Sequence, residues 1–249
     1  MKAMILAGGR GERLGDICQG TPKVMLPING RPILEHNLRY LKKSGIRDIT
    51  LNLHYRAAVI RDFLREKKNF GLRLRFSNEP ELLGTAGAIK KVEAQFQKSP
   101  FLVLYGDNLM DFDVTQLLQA HQKHGPIMTL GVYHPRETRW SGVAAGLIEV
   151  FSDGRIKKFL ERTSNRTVPG RYWVNAGIMI VSPRIFRYIP EKQFCDFGKD
   201  VFPKLLRKKI RLQTASGASY VLASDTVKSW QATLRLAKKL IGEAKHERH

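Results

Sequence analysis

Four short segments carry residue types and spacings suited to handling phosphates. The run Leu6-Ala7-Gly8-Gly9-Arg10-Gly11-Glu12-Arg13-Leu14 places three glycines within four positions. Without side chains there, backbone N–H groups can approach phosphate oxygens closely. Arg13 adds a planar guanidinium fork that matches phosphate geometry. The run is neither the dinucleotide fingerprint nor a Walker loop, because it lacks the third glycine spacing and a Gly-Lys-Ser/Thr end. Taken alone it also reads as an ordinary strand-to-helix turn. Thr21-Pro22-Lys23-Val24-Met25-Leu26-Pro27 sets Lys23 between prolines in a stiff loop, where it can serve as a fixed point charge. Leu83-Gly84-Thr85-Ala86-Gly87-Ala88 is a second glycine-rich turn, with Glu79 just upstream. Tyr105-Gly106-Asp107-Asn108 ends an apolar run with a carboxylate. Such a carboxylate is costly unless paired or bound to a cation, and hard oxygen ligands suit Mg²⁺.

These segments need a frame to hold them. Residues 3–6 read as a buried strand that delivers the first loop. A helix beginning at Arg31-Pro32 would put Ile33, Leu34, Leu38 and Leu41 on one face and stop at Ser44-Gly45. A strand over 49–53, a helix over 57–68, alternation of Leu72, Leu74 and Phe76, a helix over 86–96, a strand over 101–105 and a helix over 114–124 follow. Strands alternating with helices of this length predict βαβ units and a parallel sheet, with ligands at the carboxyl ends of its strands. Beyond Ile127 the texture turns to strands over 143–150, 156–160 and 172–181, with Ser152-Asp153-Gly154 as a turn. Helices are expected near 199–209 and 227–243.

Composition sets outer limits. The 249 residues suffice for one large α/β domain or two small ones. No apolar run is long enough to span a bilayer, and the opening apolar stretch is too short for a secretory segment, which leads to a cytoplasmic expectation. Cys18 and Cys195 have no metal-ligand spacing and read as reduced thiols. The net charge of +21 arises from 43 Lys and Arg against 22 Asp and Glu, spread as doublets such as Lys42-Lys43 and Lys208-Lys209. A positive field helps to capture polyanions, but a few charges near a site would be enough. The surplus is compatible with an anionic membrane surface or with solvated helix faces. No RRM, KH or helix-turn-helix pattern points to specific nucleic-acid binding.

In order and spacing, the segments resemble the sugar-1-phosphate nucleotidylyltransferase family, whose signature is LAGGxGTRL followed by PKP, LGTAGA and a Gly-Asp turn. Here Glu12 replaces the threonine and Val24 the second proline. The second half matches more loosely. Ser141-Gly142-Val143 resembles YGVV, Phe159-Leu160-Glu161-Arg162-Thr163 resembles F-x-EKP, and Val174-Asn175-Ala176-Gly177 resembles the NAG strand. The resemblance implies a Rossmann-like α/β fold, with a mixed, mostly parallel sheet flanked by helices and an added α+β part. It implies one domain over 1–249, with a nucleotide-binding half to about residue 125 and a sugar-phosphate-binding half from 126. Leu6, Ala7, Gly8, Gly9, Gly11, Arg13, Lys23 and Gly84 would hold the nucleotide, with Arg13, Lys23 and Asp107 catalytic. Gly142, Glu161, Arg162 and Asn175 would hold the sugar phosphate.

Mg²⁺ is the implied cofactor, on Asp107 and a second carboxylate. The family's D-x-G-T-P-E segment maps onto Ala223-Ser224-Asp225-Thr226-Val227-Lys228 in two ways. A gapless match puts Ala223 at the ligand position, and a two-residue deletion puts Asp225 there, which keeps the metal coordinated. Partners would be an NTP and a sugar 1-phosphate, and a homo-oligomer is compatible with the family. The LAGG start and short length favour GTP with a mannose- or heptose-type sugar, and Glu79 could accept from guanine N1–H and N2–H₂. Thymidylyl or cytidylyl transfer and a catalytically silent regulatory paralogue are the alternatives. Nothing suggests a β-helical extension.

Overall fold

The computed structural model describes residues 1–141, 146–161 and 170–246, with side chains as far as residue 240. The strands are β1 (Lys2–Leu6), β2 (Pro27–Ile28), β3 (Arg31–Pro32), β4 (Asp48–Leu53), β5 (Arg73–Asn78), β6 (Phe101–Tyr105), β7 (Asn108–Phe112), β8 (Met128–Tyr133), β9 (Arg139–Trp140), β10 (Leu147–Val150), β11 (Ile156–Leu160), β12 (Trp173–Val181), β13 (Leu212–Ala215) and β14 (Ala218–Ala223). The helices are α1 (Ile33–Lys43), α2 (Ala57–Glu66), α3 (Gly84–Lys91), α4 (Val114–His124), α5 (Phe202–Arg207) and α6 (Val227–His246). None of the described helices is long and apolar enough to cross a membrane.

The main sheet runs β11-β10-β12-β6-β1-β4-β5, and β8 and β13 join it through β12. The β6-β1-β4-β5 portion is parallel. β12 pairs antiparallel with β6, β8 and β10, so strands from both halves of the chain share one sheet. Both faces of β1, β4 and β6 are covered, which is why these strands are near-continuous buried runs, whereas the edge strand β5 alternates as Leu74 and Phe76 between Arg73, Arg75 and Ser77. In β1, Ala3 and Ile5 enter one core cluster and Met4 enters a second on the opposite face, all fully buried. α1 buries Ile33, Leu34, Leu38 and Leu41, and Gly45 ends it in the left-handed region, with Ile46 N–H donating to the Leu41 carbonyl. α4 starts at Asp113, whose carboxylate accepts from the N–H groups of Thr115 and Gln116.

A second, smaller sheet pairs β14 antiparallel to β7 and parallel to β9. Its register matters for the site. Ala223 stands opposite Asn108, so the chain leaves β14 toward Asp225 beside the turn that carries Asp107. α6 then folds back so that Trp230 and Ala237 pack with Leu14, Cys18 and Ile28, clamping the loop after β1 from outside.

Several elements differ from the sequence expectation. The first helix begins at Ile33, not at Arg31-Pro32. Asn29 and Gly30 both adopt positive φ, which folds Arg31–Pro32 back onto Pro27–Ile28 as a hairpin. The helix expected over 86–96 runs from Gly84 to Lys91 and gives way to a 3₁₀ turn at Glu93–Gln95. The helix near 199–209 divides into a π-turn at Phe197–Val201 and α5, and α2 stops at Glu66. Of the strand expected over 143–150, residues 143–145 lie outside the described residues and Leu147–Val150 is strand.

Candidate active site

A cavity of about 180 Å³ opens at the carboxyl ends of β1, β4 and β6. Leu6, Gly8, Gly9, Lys23, Gly84 and Asp107 line it, so segments distant along the chain converge on one space. Each is held by local contacts. The Ala7 N–H donates to Asn52 Oδ1 at 2.8 Å, tying the end of β1 to the end of β4. A Cβ at Gly8 would meet Asn52 Nδ2 at 2.8 Å, so that close approach needs glycine. Gly11 sits at φ +77° against Cys18 and turns the loop toward Arg13. Asn37 Nδ2 donates to the Gly106 carbonyl at 2.9 Å and Gly106 N–H to the Leu6 carbonyl at 2.9 Å, which fixes the turn carrying Asp107.

The charged centre is compact. Lys23, 6% exposed, donates through Nζ to Asp107 Oδ2 at 2.5 Å and to Asp225 Oδ1 at 2.6 Å. Arg13 Nη2 reaches the same Asp225 oxygen at 3.2 Å from a mostly exposed position at the rim. Of the two alignments of the C-terminal segment, Asp225 is the one at this centre, while Ala223 lies in the β14 ladder. Burial opposes the charge on Lys23, but Asp107 and Asp225 outweigh it and hold the lysine above its usual range. Burial also opposes ionisation of Asp107, yet the Lys23 ammonium prevails and keeps that carboxyl below the usual range. Asp225 is pushed up, first by burial and then by the charge of Asp107. One ammonium thus holds two carboxylates that would otherwise repel.

Among the described residues, no group of three or more His, Cys, Asp or Glu is gathered for a metal. The Asp107–Asp225 pair nevertheless fits Mg²⁺, which takes one or two protein carboxylates and completes its shell with water and phosphate oxygens.

The far wall is the turn at Gly84, at φ +74°, where a Cβ would lie 2.4 Å from the Cys195 carbonyl oxygen. That carbonyl accepts from Ala86 N–H and Gly87 N–H. Glu79 lies in the same wall, 3% exposed, with Oε2 accepting from Leu83 N–H at 3.2 Å, Oε1 without a hydrogen bond of normal geometry, and the Asn52 amide close beside the carboxyl. Burial raises its pKa above the ordinary carboxylate value.

Toward the second half, Glu161 lies against Gly198 and near Asp196, and its pKa is raised by burial and then by the Asp196 charge. Asn175 is buried with Oδ1 accepting from Gly177 N–H at 3.1 Å, so that oxygen supports its own strand. Gly142 and Arg162 lie outside the described residues. Asn52, Thr85, Tyr105 and Asp196 also line the cavity, although the sequence motifs do not single them out as site residues. Asn52 carries a signal, an asparagine inside the apolar strand 49–53. Asp196 carries none, since its link to the site is a long-range bond from Thr85 Oγ1 at 2.8 Å.

Known proteins share both sequence and fold with this chain. Residues 2–230 match the family model described as nucleotidyl transferase. The chain is 35% identical over 215 residues to mannose-1-phosphate guanylyltransferase catalytic subunit beta of Drosophila melanogaster, covering 84% of this chain and 55% of that one. It is 33% identical over 217 residues to a UTP–glucose-1-phosphate uridylyltransferase of Synechocystis, covering 83% and 55%. The chain therefore spans about half the length of these relatives. Among solved structures, HddC from Yersinia pseudotuberculosis complexed with GMP-PN superposes with a TM-score of 0.78 at 25% identity, covering 94% of this chain and 98% of that one. The fold, the ordered motifs and the matched residues lead to one assignment: the chain belongs to the nucleotidyl transferase family.

Proposed function

We propose that the protein transfers a nucleotidyl group from an NTP to a sugar 1-phosphate, giving a nucleotide sugar and pyrophosphate. The observation that carries this reading is the convergence of Lys23, Asp107, Asp225 and Arg13 at the mouth of a cavity walled by Gly8, Gly9 and Gly84. A sugar-phosphate oxygen would attack the α-phosphorus in line, forming one P–O bond as the bond to pyrophosphate breaks. The nucleophile is already anionic, so the chain need not supply a general base. What it must supply is position and positive charge. Lys23 would exchange a carboxylate for a phosphate oxygen, and Arg13, exposed at the rim, would clamp the leaving phosphates. Mg²⁺ held by Asp107 and Asp225 would offset charge developing around the α-phosphate. Glu161 would meet the sugar hydroxyls, and Asn175 would close that side through its amide.

GTP with a mannose- or heptose-type sugar is the favoured pair. The Glu79 carboxyl lies in the wall of the cavity with one oxygen lacking a well-formed hydrogen bond, where guanine N1–H and N2–H₂ could satisfy it. The guanylyltransferase named among the relatives and the GMP-PN bound by the Yersinia protein support the same choice. Pyrophosphate release should be measured with Mg²⁺, testing each common NTP against a panel of hexose and heptose 1-phosphates. Release with GTP and one such sugar supports the reading, and release only with UTP or dTTP overturns the base. Silence across the panel, in protein that still binds nucleotide, favours the regulatory alternative.

A further inference from the structure

The sheet has a second pole. β12 ends at Val181 opposite Phe101, the first residue of β6, and opposite Met128, the first residue of β8, which in turn pairs with Leu212. The segments flanking those residues therefore gather at the end of the sheet away from Asp107. Arg184 and Arg187 come from the turn after β12, Lys208, Lys209 and Arg211 from the link between α5 and β13, and Lys123 from the end of α4. No Asp or Glu occurs in residues 114–136, 182–190 or 201–212. Among the described residues none of these cations forms an ion pair, whereas Arg155, Lys157, Arg75 and Lys90 elsewhere each have a carboxylate.

Part of this cluster is fixed in place. Arg184 Nη2 donates to the carbonyls of Gly125 at 2.9 Å and Pro126 at 3.1 Å, and its Nε donates to Ser182 Oγ at 3.2 Å. Arg211 Nη2 lies 3.0 Å from His124 Nδ1 and donates to Gln213 Oε1 at 3.2 Å. None of these partners is a carboxylate, so both guanidinium groups are oriented without being paired to an acid. Arg187 has no hydrogen-bond or charged partner among the described residues. A cavity of about 170 Å³ lies between Arg184, Arg187 and Arg211, floored by Ile127, Tyr188 and Ile210. Asp153 feels the Arg211 charge but is bonded to Arg155. Beneath the cluster, burial and then the Arg184 charge bring the His121 pKa down to about 4.

We propose that this basic pocket is a second anion site, which binds a phosphate-bearing group at the pole opposite the active site. Arginine forks suit phosphate oxygens bidentately, and a small concave pocket fits one phosphate group better than it fits an extended polymer. Tyr188 is the one aromatic residue in its lining, half-buried, so no exposed ring is available to stack bases. The group could belong to a soluble phosphorylated metabolite or to an anionic lipid headgroup. This inference stands independently of the base and sugar used by the enzyme.

Equilibrium dialysis with labelled inorganic pyrophosphate tests it on wild type, Lys23→Ala, Arg187→Glu and Arg211→Glu. Arg187 makes no side-chain hydrogen bond or ion pair among the described residues, so its variant should fold and keep nucleotidyl transfer unchanged. The expected result is loss of one bound equivalent in Arg187→Glu and Arg211→Glu, with that same equivalent retained in Lys23→Ala. Co-sedimentation with vesicles of phosphatidylcholine and phosphatidylglycerol, against phosphatidylcholine alone, then separates the sources. Arginine-dependent sedimentation assigns a lipid headgroup, and its absence beside the lost equivalent assigns a soluble ligand. Unchanged stoichiometry and sedimentation in both arginine variants would overturn the proposal. So would arginine-dependent binding of single-stranded RNA with no second pyrophosphate equivalent, which would make the surface a nucleic-acid contact instead.

Discussion

The two poles of the sheet treat positive charge in opposite ways. At the carboxyl ends of β1 and β6, one buried lysine is held between two carboxylates at 2.5 and 2.6 Å. At the other pole, oriented arginines face a pocket with no carboxylate partner among the described residues. The first arrangement is a poised centre, in which each charge limits the others until phosphate enters. The second is an open field, with no ion pair among the described residues to offset it. A net charge of +21 therefore has two meanings in one molecule, and only the first depends on close side-chain placement.

Breaking the poised centre should have the largest effect. Lys23→Ala is expected to cut kcat by about 10³-fold, the scale of losing a preorganised donor at a developing charge. It should also destabilise the fold, by at most about 3–5 kcal/mol, because it strands two partly buried carboxylates. Turnover assays and thermal unfolding check the two effects, and Mg²⁺ should recover part of the lost stability by replacing the ammonium. Asp225→Asn should cost about 10²-fold in turnover with a smaller loss of stability, since Lys23 keeps Asp107. Gly84→Ala should destabilise by about 1–3 kcal/mol, because it puts a Cβ at positive φ against the Cys195 carbonyl.

Glu79→Gln sharpens the comparison within the active-site wall. Preference for GTP should fall about ten- to a hundredfold, the scale of hydrogen bonds to a charged group. Its stability should move the other way. The folded pKa of Glu79 is raised, so its ionisation costs stability as pH rises through and above the unfolded carboxylate value. The glutamine variant should then unfold at an equal or higher temperature at neutral pH, with its relative advantage shrinking in acid. The smallest catalytic effect belongs to Arg187→Glu, which should leave turnover within about twofold while removing the second anion site.

Much of the parallel half was legible in the sequence because its signals are local. Apolar runs at 3–6, 49–53 and 101–105 are strands buried on both faces, and the glycines at 8, 11 and 84 mark places where the backbone must come close. The Asn29-Gly30 hairpin was equally local but was covered by the stronger helical pattern that follows it. The small sheet was not legible, because its pairing joins Asn108 to Ala223 across nearly half the chain, and no periodicity predicts a partner at that distance. The place of Asp225 depends on that pairing, which is why the alignment alone left two candidates. The basic pole was hidden for a similar reason: three ordinary segments become a cluster only when β8, β12 and β13 align their ends.

The central claim is that Lys23, Asp107 and Asp225 form a single phosphate- and metal-handling centre. The most direct test is a double-mutant cycle of Lys23→Ala and Asp225→Asn, read by pyrophosphate release from GTP and a hexose or heptose 1-phosphate in the presence of Mg²⁺. Residues acting as one unit should be strongly non-additive, so the double variant should be little slower than Lys23→Ala alone. Fully multiplicative losses, or near-normal release in either single variant, would contradict the account.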